Sequence, residues 1–141
     1  MKFCYLPCCV LVSCAAFFLA GCGKDNGLAP VTGRVLLDGK PLEGAAVMFQ
    51  PTGGGVPATG VTGAGGEFEM MTGQTKGAAL GNNNISVVKQ ENVSTTRKVE
   101  ESEIVPMKML TPPKYASPQT SGLSVEVKRG MEPVELKLMA K

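Results

Sequence analysis

The chain reads as all-β, a sandwich of seven short strands. Three observations carry that expectation. Apolar residues alternate with polar ones at period two in run after run, the pattern of a strand buried on one face. Glycine and proline, 18 and 10 of 141 residues, fall between those runs at turn positions. Nowhere do apolar residues recur at i, i+3, i+4 and i+7 for long enough to make an amphipathic helix.

Pro30 opens the first strand, with Val31, Gly33, Val35 and Leu37 on one face and Thr32 and Arg34 on the other. Asp38-Gly39 follows, a strong turn pair because both residues tolerate positive φ. Lys40 to Gly44 is irregular, and Pro41 cannot donate to a ladder. Ala45, Val47 and Phe49 point inward on a second strand that Pro51 ends. Thr52 to Pro57 is a glycine-rich loop, Ala58 to Thr62 a third strand, and Gly63-Ala64-Gly65-Gly66 a turn. Glu67 to Thr72 forms the fourth strand, with Phe68 and Met70 inward.

After a loose Gly73–Gly81 connection, Asn83, Ile85 and Val87 alternate with Asn84, Ser86 and Val88 in the fifth. Beyond Lys89 the alternation lapses into a polar excursion, residues 90–115, whose charges cancel. Its start is expected to be disordered, with Thr95 to Glu103 a brief helix at most. Val105, Met107, Met109 and Leu110 are apolar enough to dock its end on the fold. Leu123, Val125 and Val127, then Val134, Leu136 and Leu138, mark the last two strands, with Arg129-Gly130 between them.

Ahead of this body, Met1-Lys2 is followed by an uncharged run from Phe3 to Cys22. A secretory signal has a basic start, an apolar middle and small residues at the cut. The run closes on Leu19, Ala20, Gly21 and Cys22, which resembles the lipobox of bacterial lipoproteins. The resemblance implies that signal peptidase recognises Leu19, Ala20 and Gly21 and cleaves after Gly21. The Cys22 thiol then carries a diacylglyceryl group. A thiolate is the one good nucleophile there. An uncleaved membrane helix is the rival reading, since about 20 apolar residues span a bilayer. Pro7, Gly21 and the single nearby cation Lys24 argue against it. Gly23, where an Asp often marks inner-membrane retention in such lipoproteins, favours the outer membrane.

The expected organisation is a signal peptide over 1–21, a lipidated Cys and tether over 22–29, and one domain over 30–141. Cys4, Cys8, Cys9 and Cys14 lie in the discarded part and Cys22 takes the lipid, so no disulfide framework remains. Losing Lys2 from the 14 basic residues leaves 13 against 12 acidic ones, a net of +1. That is no electrostatic footprint for nucleic acid. A domain of this size buries roughly two thirds of its unfolded surface, enough for one core.

Gly33-Arg34-Val35, then Asp38-Gly39-Lys40-Pro41-Leu42-Glu43-Gly44-Ala45-Ala46-Val47, resembles the opening of a carboxypeptidase regulatory-like domain. Thr62 to Phe68 is similar to that family's turn-then-Phe segment, and the strand from Gly81 to Lys89 to its next strand. The resemblance covers Val31 to Lys89 and extends with less detail to Met139. It implies a seven-stranded Greek-key β-sandwich of the transthyretin (prealbumin) type, an accessory domain with no peptidase activity of its own. Gly63 and Gly65 stand where the family's turn usually has Asp, and Asn83 where an aromatic is usual. The amide is expected to cost core area.

The sequence contains no His, which excludes a Ser-His-Asp relay, a His-based zinc site and a His general base. Ser86-Val87-Val88-Lys89 spells S-x-x-K, but residues three apart on a strand face opposite ways. Gly60 to Gly66 leads into a strand and not into a helix N-terminus, so it reads as a hairpin connection and not as a phosphate loop. Glu100, Glu101 and Glu103 lack the interleaved glycine and carbonyl pattern of a calcium loop. In Pro112-Pro113-Lys114-Tyr115 the ring is expected to bury against the sandwich while the prolines stiffen an edge-covering segment.

No catalytic, metal or cofactor site is expected. The expected function is a non-catalytic cell-envelope lipoprotein, held to the membrane by acyl chains on Cys22, that acts as an interaction or structural module for an envelope protein or glycan. The alternative is a carbohydrate-binding accessory domain at the cell surface, for which Tyr115 is the one Trp or Tyr beyond Cys22.

Overall fold

The computed structural model describes residues 26–92 and 107–140, and among these the chain is all-β. In chain order the strands are β1 (Leu28–Ala29), β2 (Thr32–Leu37), β3 (Lys40–Pro41), β4 (Ala46–Pro51), β5 (Ala58–Val61), β6 (Glu67–Glu69) and β7 (Met71–Thr72). There follow β8 (Thr75–Lys76), β9 (Ala78–Ala79), β10 (Gly81–Val88), β11 (Gln90–Asn92) and β12 (Met107–Met109). A 3₁₀ turn, Pro113–Ala116, precedes β13 (Leu123–Val127) and β14 (Val134–Leu138).

The larger sheet runs β13-β10-β4-β5-β7-β8, antiparallel throughout. In the smaller sheet β2 is central, with β14 on one side and both β3 and β6 on the other. β1 pairs with β9 and β11 with β12 as separate two-stranded ladders. The alternation foreseen in the sequence sets which side chains face in. Val31, just ahead of β2, and Val35 within it meet Val47, Phe49, Ile85, Val87 and Val127 from the larger sheet, all at 1% exposure or less. Phe49 and Phe68 close this sandwich-like core edge-to-face, ring centroids 6.1 Å apart at 68°.

Three features depart from the linear reading. Residues 67–72 are not one strand of one sheet: β6 pairs with β2, whereas β7 pairs with β5. Met70 is the joint, fully buried, its N–H donating to the Val31 carbonyl and its own carbonyl accepting from Gly77. The last two strands do not pair with each other either. β13 borders β10, while β14 crosses to the smaller sheet and lies parallel to β2, Val134 opposite Gly33 through Leu138 opposite Leu37. Leu28 and Ala29, assigned to the tether, instead form β1, and Ala29 is buried.

The turn at Asp38-Gly39 follows the expectation: φ is +49° and +79°, and Leu37 opposes Lys40 across a two-residue hairpin. Gly66 is a required glycine. Its φ is +76°, and a Cβ there would stand 2.5 Å from the Val35 carbonyl oxygen, which is too close.

Candidate functional site

The residues singled out for processing and lipidation, Leu19, Ala20, Gly21 and Cys22, lie outside the described residues. So do Glu100, Glu101, Glu103, Val105 and the Thr95–Glu103 segment. What is described is how the chain enters the fold just beyond Cys22. The Leu28 N–H donates to Asn26 Oδ1 at 3.3 Å, Leu28 pairs with Ala79, and the Leu80 N–H donates to the Gly27 carbonyl at 3.0 Å. Asn26, the first of the described residues, stands four positions after the cysteine.

Along the excursion, Gln90–Asn92 pairs with Met107–Met109, and the chain then lies against the end of β10. The Leu110 N–H donates to the Lys89 carbonyl, the Lys89 N–H to Thr111 Oγ1, and the Ser121 hydroxyl to the Ile85 carbonyl. β13 pairs β10 only as far as Ile85, so this segment occupies the edge that β13 leaves. Tyr115 is buried as expected, 5% exposed, and its phenol oxygen accepts from the Met139 N–H at 3.2 Å. That donated hydrogen bond holds the phenol below its usual value, against the opposing effect of burial; the Lys114 ammonium, 4.6 Å from the ring centroid, acts in the same sense as the bond.

Asn83 is inward as the alternation placed it, and has a role that the sequence reading did not give it. It is fully buried and its Nδ2 donates to the carbonyls of Ala79 and Gly81, both at 2.9 Å, which fixes the turn into β10. The cost is that Oδ1 finds no partner among the described residues. A side-chain amide two residues after a glycine at a strand start was the available signal. Thr62, likewise buried, accepts the Ala45 N–H (2.8 Å) and donates to the Leu42 carbonyl, pinning the irregular Lys40–Gly44 stretch.

The S-x-x-K pair is not assembled. Ser86 is 4% exposed on β10, and Lys89 Nζ faces Glu91 Oε1 at 3.7 Å. Among the described residues no group of three or more Cys, Asp or Glu is placed to hold a metal ion.

Among the described residues, concavities lie on the outer face of each main sheet. One, about 820 Å³, runs over Thr32, Arg34, Glu67 and Glu135, with Gly33 and Phe68 lining it as well. Its charges cancel locally. Glu135 pairs with Lys137 at 2.8 Å, which lowers the carboxyl and raises the amine, and Glu69 pairs with Lys76 at 3.0 Å. The other, about 460 Å³, is floored by Ala46, Met48, Val61, Met71 and Val88 on the outer face of the larger sheet. Both offer shape and apolar area to a partner.

No family model matches the chain, and it matches no curated protein and no solved structure.

Proposed function

We propose that this protein is a lipid-anchored, non-catalytic module of the bacterial cell envelope, exported by its leader and held by acyl chains on Cys22. The observation that carries the reading is the junction: an uncharged run ends at Leu19-Ala20-Gly21-Cys22, and the first strand begins at Leu28, six residues further on. An anchor followed at once by a small body is the layout of a tethered domain. Two or three acyl chains contribute about 0.8 kcal/mol per buried CH₂ and make attachment effectively permanent. Gly23 after the anchor favours the outer membrane.

In this reading the body is a seven-stranded Greek-key sandwich of the carboxypeptidase regulatory-like, transthyretin type. The two sheets, the Asp38-Gly39 hairpin and the Gly63–Gly66 turn support it. The glycan-binding alternative is the weaker one because sugar stacking needs an exposed ring. Phe49, Phe68 and Tyr115, the aromatics beyond Cys22, are all buried. An envelope protein is the preferred partner class. Replacing Cys22 by Ser tests the anchor: the variant is expected to lose detergent-phase partitioning and to accumulate as precursor. Unchanged partitioning and an unchanged mass would refute the lipid anchor.

A further inference from the structure

We infer that the end of the sandwich made by the Thr52–Pro57 loop and the Ala79–Asn82 turn is seated on the lipid surface, with Val56 and Leu80 in contact with it. This rests on the lipid-anchor reading above. From Cys22 to Asn26 a fully extended chain reaches only about 14 Å. Asn26 enters the fold at one identifiable end. Gly27 is bonded to Leu80, and Thr52 donates through both its N–H (2.9 Å) and its hydroxyl (3.0 Å) to the Asn82 carbonyl. The lipid and these loops are therefore on the same side of the molecule.

That end has the surface a bilayer contact requires. The loops 52–57 and 78–82 carry no charged side chain. Val56 is 64% exposed and Leu80 38%, two of the few large apolar residues left exposed among those described. Gly53, Gly54 and Gly55 have no neighbour within 4 Å of where a Cβ would stand, so the loop projects from the body. In the neighbouring connection Lys128 is bridged to Glu126, and Arg129 and Glu132 are of opposite sign, so apolar contact and not net charge carries the seating. The anchor makes this contact intramolecular, and a small apolar area then suffices. The opposite end, with the Asp38-Gly39 turn, the β11–β12 hairpin and Met139, is held about 25 Å further out, the length of β10.

The native cysteines all fall at or before Cys22, so Val56→Cys places a single labelling site in the body, and Met139→Cys (65% exposed in the native chain) gives the distal control. The full-length protein is purified from membranes, labelled with a polarity-sensitive dye and reconstituted in phosphatidylethanolamine/phosphatidylglycerol vesicles. Nitroxide-bearing lipids are expected to quench the dye at position 56 several-fold more than at 139, and aqueous iodide to quench it less. Equal lipid quenching at the two positions overturns the seating. So does shielding of position 56 from iodide without lipid quenching, which would mean a protein covers the loop. The mass of the N-terminal peptide from the same sample separates the two levels. An acylated peptide with Val56 in water overturns the orientation alone, whereas an unacylated one overturns the anchor and the orientation together.

Discussion

Asn83 shows how one buried polar side chain can hold a turn and remain half satisfied. Its amide orientation is set by the two carbonyls of Ala79 and Gly81, since only Nδ2 can donate to both. Removing the amide with Asn83→Ala is expected to destabilise the fold by about 2 kcal/mol, read from the urea midpoint. Asn83→Asp should cost more at neutral pH, because it deletes both donated bonds and buries a charge. A buried carboxyl binds its proton more tightly in the fold than in the unfolded chain, so acidification should recover part of that loss. An Asp variant as stable as wild type at pH 7 would contradict this account of the turn. Tyr115 offers a second residue-level check. Tyr115→Phe removes the acceptor for the Met139 N–H and should cost about 1 kcal/mol. In the native chain the fold holds this phenolic proton less tightly than the unfolded state does, so stability should rise slightly as pH climbs through the phenol range. A spectroscopic midpoint for Tyr115 at or above 10 would disagree.

At the scale of elements, the legible parts were those decided by local chemistry. Alternation named the inward residues of β2, β4, β10, β13 and β14, and Asp38-Gly39 named a hairpin because few other pairs accept two positive φ values. What stayed hidden depended on partners far along the chain. Nothing in Glu67 to Thr72 says that Glu67–Glu69 belongs to one sheet and Met71–Thr72 to the other; that follows from distant partners at Met70, whose N–H donates to the Val31 carbonyl while its carbonyl accepts from the Gly77 N–H. The parallel docking of Val134–Leu138 on β2 is equally non-local, and Gln90–Asn92 is too short and polar to register as a strand without Met107–Met109 beside it. Gly33 links these elements. A Cβ there would collide with the Val134 carbonyl oxygen and come within 2.6 Å of Phe68 Cζ. Gly33→Ala should therefore cost about 3 kcal/mol or more and separate β14 from β2, seen as loss of slow amide exchange along Val134–Leu138. Wild-type exchange protection in that strand would show the packing to be looser than described.

For the whole molecule, the body and the proposed anchor rest on different kinds of signal. The sheets could be anticipated because burial imposes a period on sequence, whereas a partner-binding surface imposes none. The outer concavities over Thr32–Arg34 and over Met48–Val61 combine residues from strands distant in sequence, and no motif announced either one. The proposed anchor is the reverse case, resting on four consecutive residues. Its most direct test is the mass of the N-terminal peptide of the protein extracted from membranes. The account predicts a chain that begins at Cys22 and carries diacylglyceryl and acyl groups. A peptide still bearing Met1 to Gly21, with the Cys22 sulfur unmodified, would contradict it.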